Sequence, residues 1–254
     1  MKGERSCLLA PIVMAALLSG YAFANEGLMK DFVLFDRVFI PPLALTNQGK
    51  VTPSKKAMEA LKTQWAQFKK NHYSARSEDP MWKQDLDKME SKILEAEQIV
   101  LSEKNLMEAH EILETIRFAL KAARSRNGID YYIDYLSEFH EHLEAIIHVA
   151  NERDAGSLSD KDIKFIAGEC EEGLRIWSQV QNRAFDKGLF GFSDKQEARR
   201  KELLQREAQA LSNLQRALEG DDRMLIIKSA KEIRPHYSQL YMLFGDFRQF
   251  GDPR

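Results

Sequence analysis

The chain has 254 residues, 44% of them hydrophobic and 30% charged, with 37 basic against 39 acidic side chains. That is enough apolar material for a packed core, while 13 Gly and 7 Pro are too few for a collagen-like, disordered or many-stranded chain. A formal net charge of -2 supplies no clustered basic face to neutralise phosphates, which argues against nucleic acid as a partner.

The N-terminus reads as a secretory leader. Lys2 and Arg5 precede an apolar run from Cys7 to Leu18, and Ala22-Phe23-Ala24 supplies the small-x-small triplet that signal peptidase accepts. The run is about 12 residues, short of the roughly 20 needed to span a bilayer, and no later segment is long and apolar enough to replace it. Residues 1–24 are therefore expected to be removed, leaving an exported protein without stable membrane insertion; a periplasm fits best. Cys7 leaves with the leader, so Cys170 remains alone and no internal disulfide can form. On its helical pattern Cys170 reads as a small core residue rather than a nucleophile.

Helical segments follow in order. Residues 31–39 form a short apolar stretch that Pro41-Pro42 is expected to stop. Thr52-Pro53 opens a helix with Ala57, Leu61, Trp65 and Phe68 on one face, and Asp79-Pro80 opens another with Leu86, Met89, Ile93, Ala96 and Val100. A helix from about Asn105 carries Leu106, Ala109, Leu113, Ile116 and Leu120. Asn127-Gly128 breaks it before the next, which carries Tyr132, Leu136, Phe139, Leu143 and Ile147, so the two form an antiparallel hairpin. Ser159 starts a further helix through Trp177, Ser193 and Gln196 make a capping-box pattern, and Gly220-Asp221 introduces a last helix expected to bend or end near Pro235. The fold class is all-α: a bundle of seven to eight helices. It is arranged either as two tandem four-helix units, residues 25–127 and 128–254, or as one continuous bundle.

Within the hairpin one motif occurs twice, thirty residues apart. Glu108-x-His110-Glu111-x-Leu113-Glu114-x-Ile116 is matched by Glu138-x-His140-Glu141-x-Leu143-Glu144-x-Ile146. Each histidine flanks its core stripe, and the glutamate four residues on shares its helix edge. In an antiparallel hairpin centred on residue 127, His110 comes level with Glu144 and Glu114 with His140. Imidazole nitrogen and carboxylate oxygen together suit iron, zinc or manganese. The expected metal site is His110, Glu114, His140 and Glu144, with Glu111 and Glu141 as supporting groups or extra ligands. The plainer reading is exposed His–Glu pairs, each worth about 0.2–0.5 kcal/mol. His142 and His148 point away from the core stripe and are expected in solvent.

The segment Lys228-Ser229-Ala230-Lys231-Glu232-Ile233-Arg234-Pro235-His236-Tyr237 resembles the last helix of the soluble periplasmic cytochromes of the four-helix-bundle type. That resemblance covers little of the chain. It implies haem, which without a Cys-x-x-Cys-His motif would be held noncovalently, with His236 and a methionine such as Met58 as the ligand pair. No Gly-rich phosphate loop and no Gly-x-Ser-x-Gly elbow point to catalysis. The aromatics Tyr237, Tyr241, Phe244, Phe247 and Phe250 read as bundle-end packing, or as a surface on which another exported protein could dock. The expectation is a binding or carrier protein for a divalent transition metal, with an interaction protein and a haem protein as alternatives.

Overall fold

The computed structural model describes residues 10–220 and 222–250, with side-chain environments from residue 26 onward. The leader assigned to residues 1–24 lies outside the described residues but for helical backbone from Ala10.

Among the described residues there are nine helices and no strand. They are α1 (Ala10–Asn47), α2 (Val51–His72), α3 (Trp82–Ser102), α4 (Leu106–Arg126), α5 (Tyr132–Glu152), α6 (Asp160–Asn182), the single turn α7 (Lys187–Phe190), α8 (Asp194–Leu218) and α9 (Arg223–Met242). No helix among the described residues is long and apolar enough to cross a membrane.

Local signals set most boundaries. Asn105 caps α4 by accepting from the Glu108 N–H, and Ser159 with Asp162 and Ser193 with Gln196 form reciprocal capping boxes at α6 and α8. Gly128 turns the chain after α4 at φ +62°, a conformation glycine adopts without a Cβ penalty. Each helix then buries one stripe: Met58, Leu61, Trp65 and Phe68 on α2 are at most 2% exposed. Burial of one such side chain stabilises by about 1.5–3 kcal/mol.

The contacts close two rings. α1 packs on α2, α2 on α3, α3 on α4 and α4 back on α1; α5 packs on α6, α6 on α8, α8 on α9 and α9 back on α5. The rings meet where α4 touches α5 and where α1 touches α7 and α9, and one buried apolar cluster runs through both. Phe35, Trp65 and Phe68 pack together in the first ring, and Phe139, Trp177 and Tyr237 in the second.

The expectation that Pro41-Pro42 stop the first helix is corrected, and of the two outcomes expected at Pro235 an end to the helix is excluded. α1 runs through Pro41 and Pro42 to Asn47, and α9 runs through Pro235 to Met242. A proline inside a helix costs about 3 kcal/mol through its missing N–H and its clash with the preceding turn. Phe39, Ile40, Leu43 and Leu45 flank the α1 prolines and are buried, which outweighs that cost. At Pro235 the carbonyl deprived of a donor belongs to exposed Lys231, where water can serve it, while Ile233, Tyr237, Leu240 and Tyr241 hold the helix to the core.

Candidate functional site

The junction of the two rings holds a cavity of about 120 Å³ walled by α1, α4, α5 and α9. His110 and Glu114 reach it from α4, His140 and Glu144 from α5. The four residues singled out by the repeated motif therefore meet in one place. Glu114 Oε1 lies 3.7 Å from His110 Nε2 and 3.6 Å from His140 Nε2, and His140 Nδ1 lies 3.9 Å from Glu144 Oε1.

The symmetric exchange expected across the hairpin is realised on one side only. Glu114 meets His140 across the helices, but His110 Nδ1 turns to the Leu43 carbonyl on α1 at 3.0 Å, and Glu144 meets Arg234 on α9 at 2.9 Å. The reason is that two further helices insert their own polar groups. Because a carbonyl only accepts, His110 must carry its proton on Nδ1, which leaves the Nε2 lone pair facing Glu114 unless the ring is doubly protonated.

Glu111 and Glu141 do not join the cavity. Glu111 is exposed on the outer face of α4, and Glu141 pairs with Lys121 at 3.1 Å in solvent. His148 is exposed as expected, but His142 is half-buried and meets Glu169 at 2.7 Å. Met58 and His236, the haem pair, stand in different rings. Cys170 is buried, and burial pushes its thiol up to about 11, well away from a nucleophile.

Sequence reasoning missed the cations. Arg117 is 5% exposed, its Nη2 is 3.1 Å from Glu114 Oε1, and its guanidinium lies over the Tyr241 ring at 4.4 Å. A local signal existed: Arg117 falls three residues after Glu114 and seven after His110, on the same helix edge and beside the apolar stripe. Arg234 had none, since it arrives from a helix 90 residues beyond its partner Glu144. Tyr237 completes the wall, its ring stacked on His140 with centroids 5.3 Å apart and its hydroxyl donating to the Leu136 carbonyl at 3.0 Å.

The electrostatics follow from this crowding. Burial alone would raise the Glu114 carboxyl, but Arg117 and the two imidazoles outweigh it and hold the group at about 2. Burial and Arg117 lower His140, against the opposite pull of Glu114 and Glu144. Several polar atoms remain buried without a hydrogen bond: Glu114 Oε2, Arg117 Nε and Nη1, and His140 Nδ1. Glu144 Oε1 joins them, being close to Arg234 but out of line for a hydrogen bond. Among the described residues no group of three or more His, Cys, Asp or Glu side chains is arranged to hold a metal ion. No family model, no characterised protein and no solved structure matches this chain.

Proposed function

We propose that this chain is a binding or carrier protein whose site is the junction cavity, and whose ligand is a small polar molecule with both hydrogen-bond donors and acceptors. The observation that carries this reading is that Glu114 and Arg117 on α4 and Glu144 on α5, all lining the cavity, each keep buried polar atoms without a hydrogen bond. Glu114 Oε2 and Glu144 Oε1 need donors, whereas Arg117 Nε and Nη1 need acceptors. An unsatisfied buried polar group costs about 1–3 kcal/mol, so their concentration here favours an occupant that satisfies both kinds. A small zwitterion, with an acidic group toward Arg117 and an amine toward the glutamates, has the required polarity. The half-exposed Arg234 and the exposed Asn47 and Gln48 give the cavity a mouth.

A divalent metal is the second reading, and the His110 tautomer favours it. Two Nε2 atoms and Glu114 Oε1 face one another at 3.6 and 3.7 Å, against about 3.4 Å between ligands around tetrahedral zinc. A cation between them would relieve the His110 Nε2 lone pair that faces Glu114, and the bond from His110 to the Leu43 carbonyl is the kind of support a metal-bound imidazole uses. Against it, Arg117 already holds the shared oxygen, and a bare ion offers its unpaired N–H groups nothing.

Export to the periplasm is part of the proposal and rests on the pattern of residues 1–24. Native mass spectrometry of the purified mature chain tests the ligand reading, followed by acid release and identification of small molecules and metals. A bound small molecule that Arg234→Ala loses at least 10-fold more readily supports it. A stoichiometric metal with no organic ligand would move the assignment to the second reading. A chain that carries neither, and whose melting temperature does not respond to free amino acids or divalent ions, would overturn both.

A further inference from the structure

A second, larger cleft of about 720 Å³ lies at the end of the bundle, between α1, the α7 turn, α8, α9 and the segment after α9. Its size falls within the usual range for small-molecule sites, about 300–1,000 Å³. Its walls are aromatic and aliphatic: Phe190, Phe192, Phe244, Phe247, Leu243 and Met242. Polar side chains interrupt these walls: Gln196 and Gln239 are uncharged, and the charged groups are mainly of one sign, with Arg37, Arg199 and Arg248 against Asp246.

The three guanidiniums are not equivalent. Arg199 is tied to Glu202 at 2.6 Å and to Gln239, and Arg248 is tied to Asp246. Arg37 makes no ion pair within 4 Å among the described residues; the Asp246 carboxylate, held by Arg248, feels its charge only at longer range. Its Nη2 donates to the Phe190 carbonyl at 2.8 Å. Gly191 lets it lie there, because a Cβ at that position would stand 2.5 Å from the same nitrogen. A half-buried cation is thus seated at the edge of a cleft with apolar walls, and among the described residues its other N–H groups have no hydrogen-bond partner. Such a cation attracts an anion more strongly than a solvated surface arginine does, since low local dielectric weakens the competition from water.

We infer that this cleft is a binding site, separate from the junction cavity, for an organic anion with an apolar or aromatic body, whose acidic group pairs with Arg37. The phenylalanine walls take the body, and the planar guanidinium takes the carboxylate or sulfonate through paired N–H bonds.

The test uses two fluorescent probes on the mature chain: 1-anilinonaphthalene-8-sulfonate, which is anionic, and N-phenyl-1-naphthylamine, its neutral counterpart. The expected result is saturable one-site binding of the anion, at least 10-fold tighter than the neutral probe. Arg37→Gln, which keeps an N–H for Phe190, should weaken the anion at least 10-fold and leave the neutral probe within 2-fold. Phe247→Ala should weaken both. Circular dichroism melts establish that each variant stays folded, so that the probes do not report exposed core. Equal affinity of the two probes for the native chain would overturn the inference even if Arg37→Gln failed to fold. So would unchanged anion binding in a folded Arg37→Gln or Phe247→Ala chain.

Discussion

Pro41 and Asp246 are linked through one carbonyl. Pro41 has no N–H to give the Arg37 carbonyl four residues earlier in α1, and the Asp246 N–H takes that place at 2.7 Å. A proline that weakens its own helix thereby creates the docking point for the chain after α9, and the same Arg37 holds the α7 turn through its guanidinium. Pro41→Ala would restore a competing donor within the helix. The amide of Asp246 should then exchange with deuterium at least 10-fold faster, while the melting temperature does not fall. Unchanged protection at Asp246 would show that the carbonyl serves both donors.

Glu207 on α8 is fully buried, and neither carboxyl oxygen has a hydrogen-bond partner. Burial pushes it up from 4.5 to about 9. The folded state therefore holds a proton that the unfolded chain releases. The contribution of this one group to stability is at its full value below pH 4.5, falls by about 1.4 kcal/mol per pH unit above it, and levels off near pH 9. At pH 7.5 the accumulated loss is on the order of 4 kcal/mol. Glu207→Met, of similar shape, should flatten denaturant midpoints measured between pH 5 and 9 and raise the midpoint at pH 8. A native chain equally stable at pH 5 and pH 8.5 would contradict this.

Arg124 joins α1, α4 and α5 from a buried position. Two of its N–H groups bond Asp134, at 2.9 and 2.5 Å, and its guanidinium lies over the rings of Phe32 and Tyr131. Asp36 accepts from the Tyr131 hydroxyl at 2.5 Å; burial raises its carboxyl to about 6 even though Arg124 and that hydroxyl pull it down. Arg124→Met would leave buried carboxylates without their cation and should cost about 3–5 kcal/mol. Adding Asp36→Asn should recover part of that loss, a coupling that a double-mutant cycle measures. Alone, Asp36→Asn should stabilise at pH 7, because a carboxyl raised from 3.8 to about 6 loses stability as pH climbs through that interval. The gain should vanish below pH 4.

If residues 1–24 are a leader, the periplasmic fraction should contain a chain beginning at Asn25, and intact mass measures this directly. Replacing Leu17 and Leu18 by arginine should retain the full-length chain in the cytoplasm. A native chain found only at full length would refute export by this route.

Much of the helical framework was legible because its causes are local. An α-helix bonds each N–H to a carbonyl four residues back, so apolar spacing and caps such as Ser159 with Asp162 act within a few residues of the boundary they set. The convergence of His110, Glu114, His140 and Glu144 was also readable, since two helices joined by a tight turn at Gly128 inherit their register from that turn.

What surrounds those four residues depended on contacts between distant segments. Arg234 reaches Glu144 from α9, the Leu43 carbonyl on α1 accepts a hydrogen bond from His110, and Glu111 and Glu141 fall on outward faces. The two prolines of α1 gave a stop signal by every local rule, yet buried neighbours on both sides and the Asp246 N–H carried the helix through. Local hydrogen bonding and periodicity thus determined which residues are helical and which face is apolar. Only tertiary packing decided which polar groups meet between the helices, because burial makes the pairing of each such group depend on whatever segment lies opposite.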